Sequence, residues 1–260
     1  MLKSIFRCLL SSMIAVFVLV NTGTAQQSKQ ATSDKEQATS DKNIKNEVER
    51  ATEAANVLTE IMNIPEQSIP EDLMARAHGI AVIPHVVKGA FGIGGQWGKG
   101  LMSQRREDGS WSSPAYIEIG GGSLGFQIGV QATDVVLVFT DEDGLKGLLK
   151  GKLKLGADAS ATAGPVGRKA EVGTDVLLKS GIFAYSRSKG LFAGISLDGS
   201  VVSIDDSANR KVYGKDVTGE QILLGKGLRS NTTVEPFLAA LQKFSPAHVH
   251  ITKARTQKSD

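Results

Sequence analysis

An α+β fold, in which a strongly curved antiparallel or barrel-like β-sheet is flanked by helices, is what this sequence predicts, and three observations carry that prediction. Residues 44–77 place apolar side chains at helical spacing, residues 80–204 alternate with the period of strands and are rich in glycine, and helical spacing returns after Asp206. Strands and helices do not alternate regularly, as a parallel sheet with crossover helices would require.

The elements follow in order. The chain opens with Lys3 and Arg7, an apolar run from Leu9 to Val20, and a polar stretch ending at Ala25. The run is shorter than the roughly 20 residues of a spanning helix, and Gly23 and Ala25 are the small residues a signal peptidase selects. Residues 1–25 are therefore expected to be a cleavable signal peptide, and the protein a bacterial exported one, periplasmic or secreted. Cys8 is the only cysteine. It leaves with the leader, so the remainder has no disulfide, thiolate nucleophile or cysteine metal ligand. Residues 26–43 are polar, and Ala31-Thr-Ser-Asp-Lys35 recurs as Ala38-Thr-Ser-Asp-Lys42. This stretch reads as a disordered tether.

A single domain is expected over 44–250. Ile44, Val48, Ala51, Ala55, Leu58 and Met62 recur at steps of four and three, the mark of an amphipathic helix. Residues 42–62 hold Lys42, Lys45 and Arg50 against Glu47, Glu49, Glu53 and Glu60. With that acidic balance the helix is expected to pack on the core, because a helix lying on an anionic membrane is richer in basic residues. A second, short helix is expected through Leu73, Met74 and Ala77, with Ser68 and Glu71 at capping-box spacing, Pro70 in its first turn, and His78 capping its end.

Strand patterns then cover Ile80 to Ile83, Gly89 to Gln96, Ala115 to Ile119, Leu124 to Val130 and Val135 to Phe139. Internal glycines point to bent strands and bulges. Asp141 to Gly144 reads as a turn and cap, and Leu145, Leu148 and Leu149 make one or two helical turns. Lys152-Leu-Lys-Leu155 alternates again. Two hairpins are expected: Ile182 to Ser186 with Leu191 to Ser196, and one turning at Asp198-Gly199 into Val201 to Ile204. Helices are expected after Asp206, after Thr218 with Gln221 at capping-box spacing, and from Val234 to Phe244. Residues 251–260 read as a flexible tail.

Charge narrows the function. Removing Lys3 and Arg7 with the leader leaves 28 basic against 27 acidic residues. No global affinity for nucleic acid follows from that balance, and any anion-binding surface must be local. Gly120-Gly-Gly-Ser-Leu-Gly125 matches a dinucleotide fingerprint in letters, but Phe126, Ile128 and Val130 continue as a strand where a helix is needed. Gly98-Lys-Gly100 and Gly225-Lys-Gly227 lack the serine or threonine of a phosphate loop. Gly121-Gly-Ser-Leu-Gly125 spells G-x-S-x-G, but the strand pattern after it is not the helix of a nucleophile elbow, and no H-E-x-x-H occurs. His85 has no partner that the sequence locates, and His248 with His250 make at most a two-ligand metal site. Asp205-Asp206 reads as a turn and helix cap, and Asp158 as a buried hydrogen-bond acceptor. No catalytic residue, cofactor or metal is therefore assigned.

Basic residues are concentrated instead. Lys146, Lys150, Lys152 and Lys154 fall within nine positions free of acids, Lys152 and Lys154 share a strand face, and Arg168-Lys169 follows soon after. These six are the candidate lipid-phosphate contacts. Lys88, Lys99, Arg105 and Arg106 line the first strands. Trp97 and Trp111 are interfacial anchors if exposed and core residues if not.

The segment order itself is familiar. Gly79-Ile-Ala-Val-Ile-Pro84, Lys88-Gly-Ala-Phe-Gly-Ile-Gly-Gly95, Trp111-Ser-Ser-Pro114, Gly129-Val-Gln-Ala-Thr-Asp134, Gly156-Ala-Asp-Ala-Ser160, Gly164-Pro-Val-Gly-Arg168, Tyr185-Ser-Arg-Ser-Lys-Gly-Leu-Phe-Ala-Gly194 and Tyr213-Gly214 resemble the SYLF domain family from about Leu58 to Phe244. The resemblance implies a lipid-binding domain that recognises acidic phospholipids through basic residues and an amphipathic amino-terminal helix, with actin binding in some eukaryotic members. The expected function is non-enzymatic binding of anionic phospholipid or amphiphile at the cell envelope. Its partners would be lipid headgroups and envelope proteins, with no nucleic acid, in peripheral rather than transmembrane contact. The alternatives are an envelope protein–protein scaffold and a hydrolase.

Overall fold

The computed structural model describes residues 44–91, 93–123, 129–167, 181–188, 191–195, 197–225 and 231–245. The expected leader, tether and tail, the strand over 124–128, and His248 and His250 lie outside them. Contacts set Glu47–Asp260 apart as one compact unit. Helix α1 covers residues 44–63. Then come α2 (Glu71–Ala75), β1 (Gly79–Phe91), β2 (Ile93–Gln104), β3 (Ala115–Ser123), β4 (Gly129–Phe139) and α3 (Glu142–Leu149). After β5 (Lys152–Lys154), β6 (Ala161–Ala163), β7 (Ile182–Ser188), β8 (Leu191–Gly194) and β9 (Ser200–Ile204), three helices follow: α4 (Asp206–Tyr213), α5 (Gly219–Leu223) and α6 (Glu235–Phe244).

The fold class is as expected: a strongly curled sheet flanked by helices. Its order is β5-β9-β3-β2-β1-β4-β7-β6, with β8 pairing β7. All described pairings are antiparallel except β6 with β7. Apolar clusters lie on both faces. Ile80, Val82, Leu101, Tyr116, Val136, Val138, Phe183 and Tyr185 pack against Ala51, Leu58 and Ile61 of α1, Leu73 of α2, and Phe237 and Leu241 of α6. On the opposite face Ile83, Met102, Ile117, Ile119, Leu137 and Phe139 pack with Leu145 and Leu148 of α3 and Ile222 of α5. Strands buried on both faces read as continuous apolar runs, which explains why Gly79–Ile83 and Val135–Phe139 show no polar alternation.

A one-residue bulge in β1 sets much of the geometry. Val82 pairs with Leu101 and Val87 with Trp97, so five steps on β1 match four on β2, and β1 gains one residue over β4 in the same interval. Pro84 lies in this interval, where it has no N–H to give to a central ladder. His85 beside it adopts φ 51°, the left-handed region, and its N–H donates to Asp134 Oδ1 at 3.0 Å. The bulge shifts side-chain parity by one: Val82 and Val87 share one face although their numbers differ by five.

Several local expectations are corrected. Gly89 to Gln96 is the top of the β1–β2 hairpin rather than one strand, since Phe91 pairs with Ile93. The turn at Asp198-Gly199, with Gly199 at φ 80°, leads β9 away to pair with β3 and β5 rather than back onto β8. Ser68 does not cap α2: its hydroxyl donates to Pro65 O at 3.2 Å, and Pro70 is the N-cap. His78 follows α2 and joins two strands, its N–H donating to Phe139 O at 2.7 Å and its carbonyl accepting from Arg105 N at 2.8 Å. The capping box of Thr218 and Gln221 is present as expected.

Candidate functional site

Among the described residues, the face that carries the α1 contacts continues past the helices as uncovered sheet. Register gives its composition directly. One cross-strand row runs Lys154–Val201–Gly120–Trp97–Val87–Ala132 over six strands. The row beside it, toward the covered half, runs Lys152–Ser203–Glu118–Lys99. On the other side Gly95 pairs with both Gly89 and Gly122.

Exposure follows this order. Trp97 is 54% exposed and Val87 42%, whereas Leu101, one turn of the pleat from Lys99, is fully buried. A shallow groove of about 410 Å³ lies between Trp97 on one side and Lys152 with Gly151 on the other, floored by Gly120, Gly121 and Val201. A Cβ at Gly120 would meet nothing within 4 Å, whereas at Gly121 it would lie 3.1 Å from Gly199 O.

A charge network marks the boundary between the covered and bare halves. Lys99 Nζ donates to Asp205 Oδ2 at 2.8 Å, Arg50 of α1 reaches the same oxygen at 3.4 Å and Glu47 Oε2 at 3.0 Å, and Lys211 Nζ lies 3.5 Å from Glu47 Oε1. Asp205 also caps α4, its Oδ1 accepting from Ala208 N at 3.0 Å, as its sequence position suggested. Burial opposes ionisation of Asp205, but the Lys99 and Ala208 hydrogen bonds and the Arg50 charge outweigh it and hold the carboxyl below its usual range. Farther along α1, Glu60 pairs with Arg187, which also binds Asp134 at 3.2 Å.

The lysine cluster is divided. Lys152 and Lys154 are exposed and alternate with buried Leu153, so both belong to the outer face, as their spacing implied. Lys150 is exposed at the C-cap of α3. Lys146 pairs with Asp143 of its own helix and lines a different cleft. Arg168 and Lys169 lie outside the described residues. Of the other basic positions, Arg105 is structural: its guanidinium donates to Ala77 O at 2.9 Å and Gly109 O at 3.1 Å and stacks 4.4 Å from the centroid of the Trp111 ring. Trp111 is buried, its indole N–H donating to Ser245 O at 3.0 Å, so Trp97 alone of the two tryptophans faces outward. Asp158 is exposed rather than buried, accepting from Lys154 N at 2.8 Å.

The other cleft, about 1020 Å³, is lined by His78, Arg105, Arg106, Glu142, Lys146 and apolar Leu145, Leu149 and Leu223, among others. His78 Nδ1 lies 3.9 Å from Glu142 Oε1. Among the described lining residues no hydroxyl or thiol accompanies this pair, so the third member of a hydrolase constellation is missing. His85 Nδ1 lies 3.7 Å from Glu53 Oε2, on the exposed side of the bulge. Among the described residues no group of three metal-binding side chains occurs, and no helix is long and apolar enough to cross a membrane.

The outward tryptophan was not among the six candidates. Its signal is the stretch Gly94-Gly-Gln-Trp-Gly-Lys-Gly100, an aromatic residue on a strand otherwise stripped of bulk.

Comparison with known proteins agrees with the fold-level resemblance. Residues 120–244 match the family described as Ysc84, Las17-binding protein actin regulator. LAS seventeen-binding protein 3 of Saccharomyces cerevisiae is 38% identical over 180 residues, 68% of this chain and 39% of the yeast protein. SH3 domain-containing YSC84-like protein 1 is 36% identical in Rattus norvegicus over 186 residues, 70% of this chain and 54% of that protein, and 35% identical in Homo sapiens. The chain thus spans about two fifths to one half of these relatives. They are yeast and mammalian, and the family is described as an actin regulator, a role tied to the cytoplasm. This overturns the expectation of a bacterial exported member and of a periplasmic or secreted location. The family is one of binding and regulatory proteins, and the domain is not an enzyme.

Proposed function

We propose that this chain, whose residues 120–244 match the SYLF/Ysc84 family, is a non-enzymatic member of it whose outer sheet face contacts anionic phospholipid headgroups peripherally. The observation that carries the reading is the exposure of Lys152 and Lys154 on one outward face of an edge strand, with Lys150 at the preceding helix end. Ammonium groups on such a strand reach phosphates while Leu153 anchors the backbone from the opposite side. Lys146 contributes less, because Asp143 already offsets its charge. Arg168 and Lys169 stay candidates by sequence.

A basic residue near an anionic surface contributes about 1 kcal/mol, so reversing two of them lowers partitioning by at least about tenfold. The test is co-sedimentation of the full chain with phosphatidylcholine vesicles, with and without phosphatidylglycerol, at low and physiological salt. Wild type is expected to pellet with the anionic vesicles in a salt-sensitive manner. The double variant K152E/K154E is expected to lose that binding with unchanged thermal unfolding. Equal pelleting of variant and wild type would reject the lysine assignment.

The relatives' printed names favour a second reading, in which the domain binds protein: actin or a Las17-like partner. Pelleting with actin filaments in the absence of lipid, unaffected by K152E/K154E, would support it.

A further inference from the structure

The bare half of the helix-bearing face has more than lysines. We infer that Trp97, with Val87 beside it and the glycine-floored groove next to it, is the part of this face that enters the headgroup–glycerol layer of an anionic bilayer, while Lys152 and Lys154 hold the phosphates. The inference rests on the lipid reading above and specifies how the face is seated.

Three features of the geometry carry it. First, Trp97 is exposed although it stands on β2, an interior strand of the sheet flanked by β1 and β3, where a large aromatic would normally be covered. Nothing at Gly120, its cross-strand partner, covers it, and Val87 on its other side is exposed as well. An indole has an apolar body and one N–H, which suits it to the boundary between headgroups and acyl chains.

Second, the surroundings carry little side-chain bulk. Gly120 in the aromatic row and Gly89, Gly95 and Gly122 in the next leave backbone where side chains would hold a planar partner away. With strands about 4.8 Å apart, the six-strand row from Lys154 to Ala132 extends about 24 Å along the curl of the sheet. That suits the surface of a membrane better than a single small molecule.

Third, charge is graded along the strands. The row nearest the helices holds Lys152 and Lys99, with Glu118 in register between them and Ser203 Oγ 3.5 Å from its Oε1. Lys99 is engaged by Asp205 and lies 5.8 Å from the Trp97 ring centroid, so it supports the indole from the protein side. Lys154 stands in the aromatic row itself, three strand spacings or about 14 Å from Trp97. Glu118 is thus flanked by cations, while the exposed lysines lie at the edge where phosphates would arrive, Lys154 with Asp158 on its backbone N–H. The exposed lysines at this edge complement an anionic bilayer.

Tryptophan fluorescence tests the proposal, because the chain has two tryptophans and Trp111 is buried. The full chain is mixed with phosphatidylglycerol-containing vesicles, plain or brominated on the upper acyl positions. The expected result is a blue shift and bromolipid quenching in wild type that are both absent in Trp97→Phe, where Trp111 alone reports. Trp97→Ala is expected to lower vesicle partitioning at least fivefold, and Gly120→Glu, whose side chain enters open space, to do the same without changing the unfolding temperature. Vesicle binding that persists with no quenching, and with W97A and G120E both like wild type, would overturn this seating and leave the lysine-based reading standing. Failure of wild type to bind anionic vesicles would overturn both. Concentration-dependent dimers abolished by W97A without lipid would overturn the membrane assignment in favour of self-association.

Discussion

The two halves of the helix-bearing sheet face are built from the same strands but have opposite fates. Ile80, Val82, Leu101 and Tyr116 are fully buried beneath α1 and its neighbours, while Val87, Trp97 and Gly120, four or five residues farther along the same strands, and Lys154 on β5 face outward. Between them runs the network of Glu47, Arg50, Lys99 and Asp205, which terminates the helix layer in charge. A strand therefore does not carry one environment along its length. Burial is decided by how far the helices reach, and the chain closes the boundary with paired charges because unpaired ones could not be buried there.

The covered half is the more sensitive to substitution. Leu58→Ala on α1 removes a fully buried side chain and is expected to cost about 2–5 kcal/mol, read as a fall in the urea midpoint. A normal midpoint would mean that α1 is not part of the core.

Glycines sharpen the contrast. At Gly100 an added Cβ would collide with the Val82 carbonyl oxygen and lie 2.7 Å from Ile83 Cα, all backbone. Gly100→Ala is expected to destabilise by about 1–3 kcal/mol, whereas Gly120→Ala is expected to be near neutral. Thermal unfolding of the pair checks both, and similar losses would contradict the open surface around Gly120.

The boundary itself is sensitive to pH. The folded-state pKa of Asp205 is depressed, so its stabilising contribution is complete above its unfolded value of about 3.9 and is lost as pH falls through the folded value. Asp205→Asn is expected to cost about 1–3 kcal/mol at neutral pH, and the gap from wild type is expected to narrow on acidification. A gap independent of pH between about 6 and 2 would show that the carboxylate charge is not what matters.

The smallest effect belongs to the bare half. Trp97→Ala is expected to change unfolding free energy by no more than about 0.5 kcal/mol, as for an exposed residue without buried contacts. A larger loss would place Trp97 in the core.

Much of the fold was legible because periodicity reports burial. Ala51, Leu58 and Met62 announce α1, the Thr218–Gln221 capping box announces α5, and Lys152-Leu-Lys-Leu155 gives the outward lysines of β5. Less was legible where a local rule met a tertiary one. Ser68 had the spacing of a helix cap but bonds to Pro65 O instead, and the strong turn at Asp198-Gly199 said nothing of which strand β9 would join. Lys150, Lys152 and Lys154 were singled out by charge and are exposed, and Trp97 was left undecided because a tryptophan in a strand suits either face. The placement in a periplasm or outside the cell was drawn from the leader pattern alone, and the eukaryotic relatives, with a family described as an actin regulator, overturned it.

By itself the sequence determined the element types, the curvature of the sheet, the apolar face of α1 and the concentration of lysines, since each depends on side chains a few positions apart. Tertiary structure decided which lysines share a surface and which tryptophan faces outward. The one-residue bulge at Pro84–His85 reverses the parity of β1, and the reach of the helix layer sets where burial stops. Both are relations between residues distant in the chain, and no local pattern encodes them.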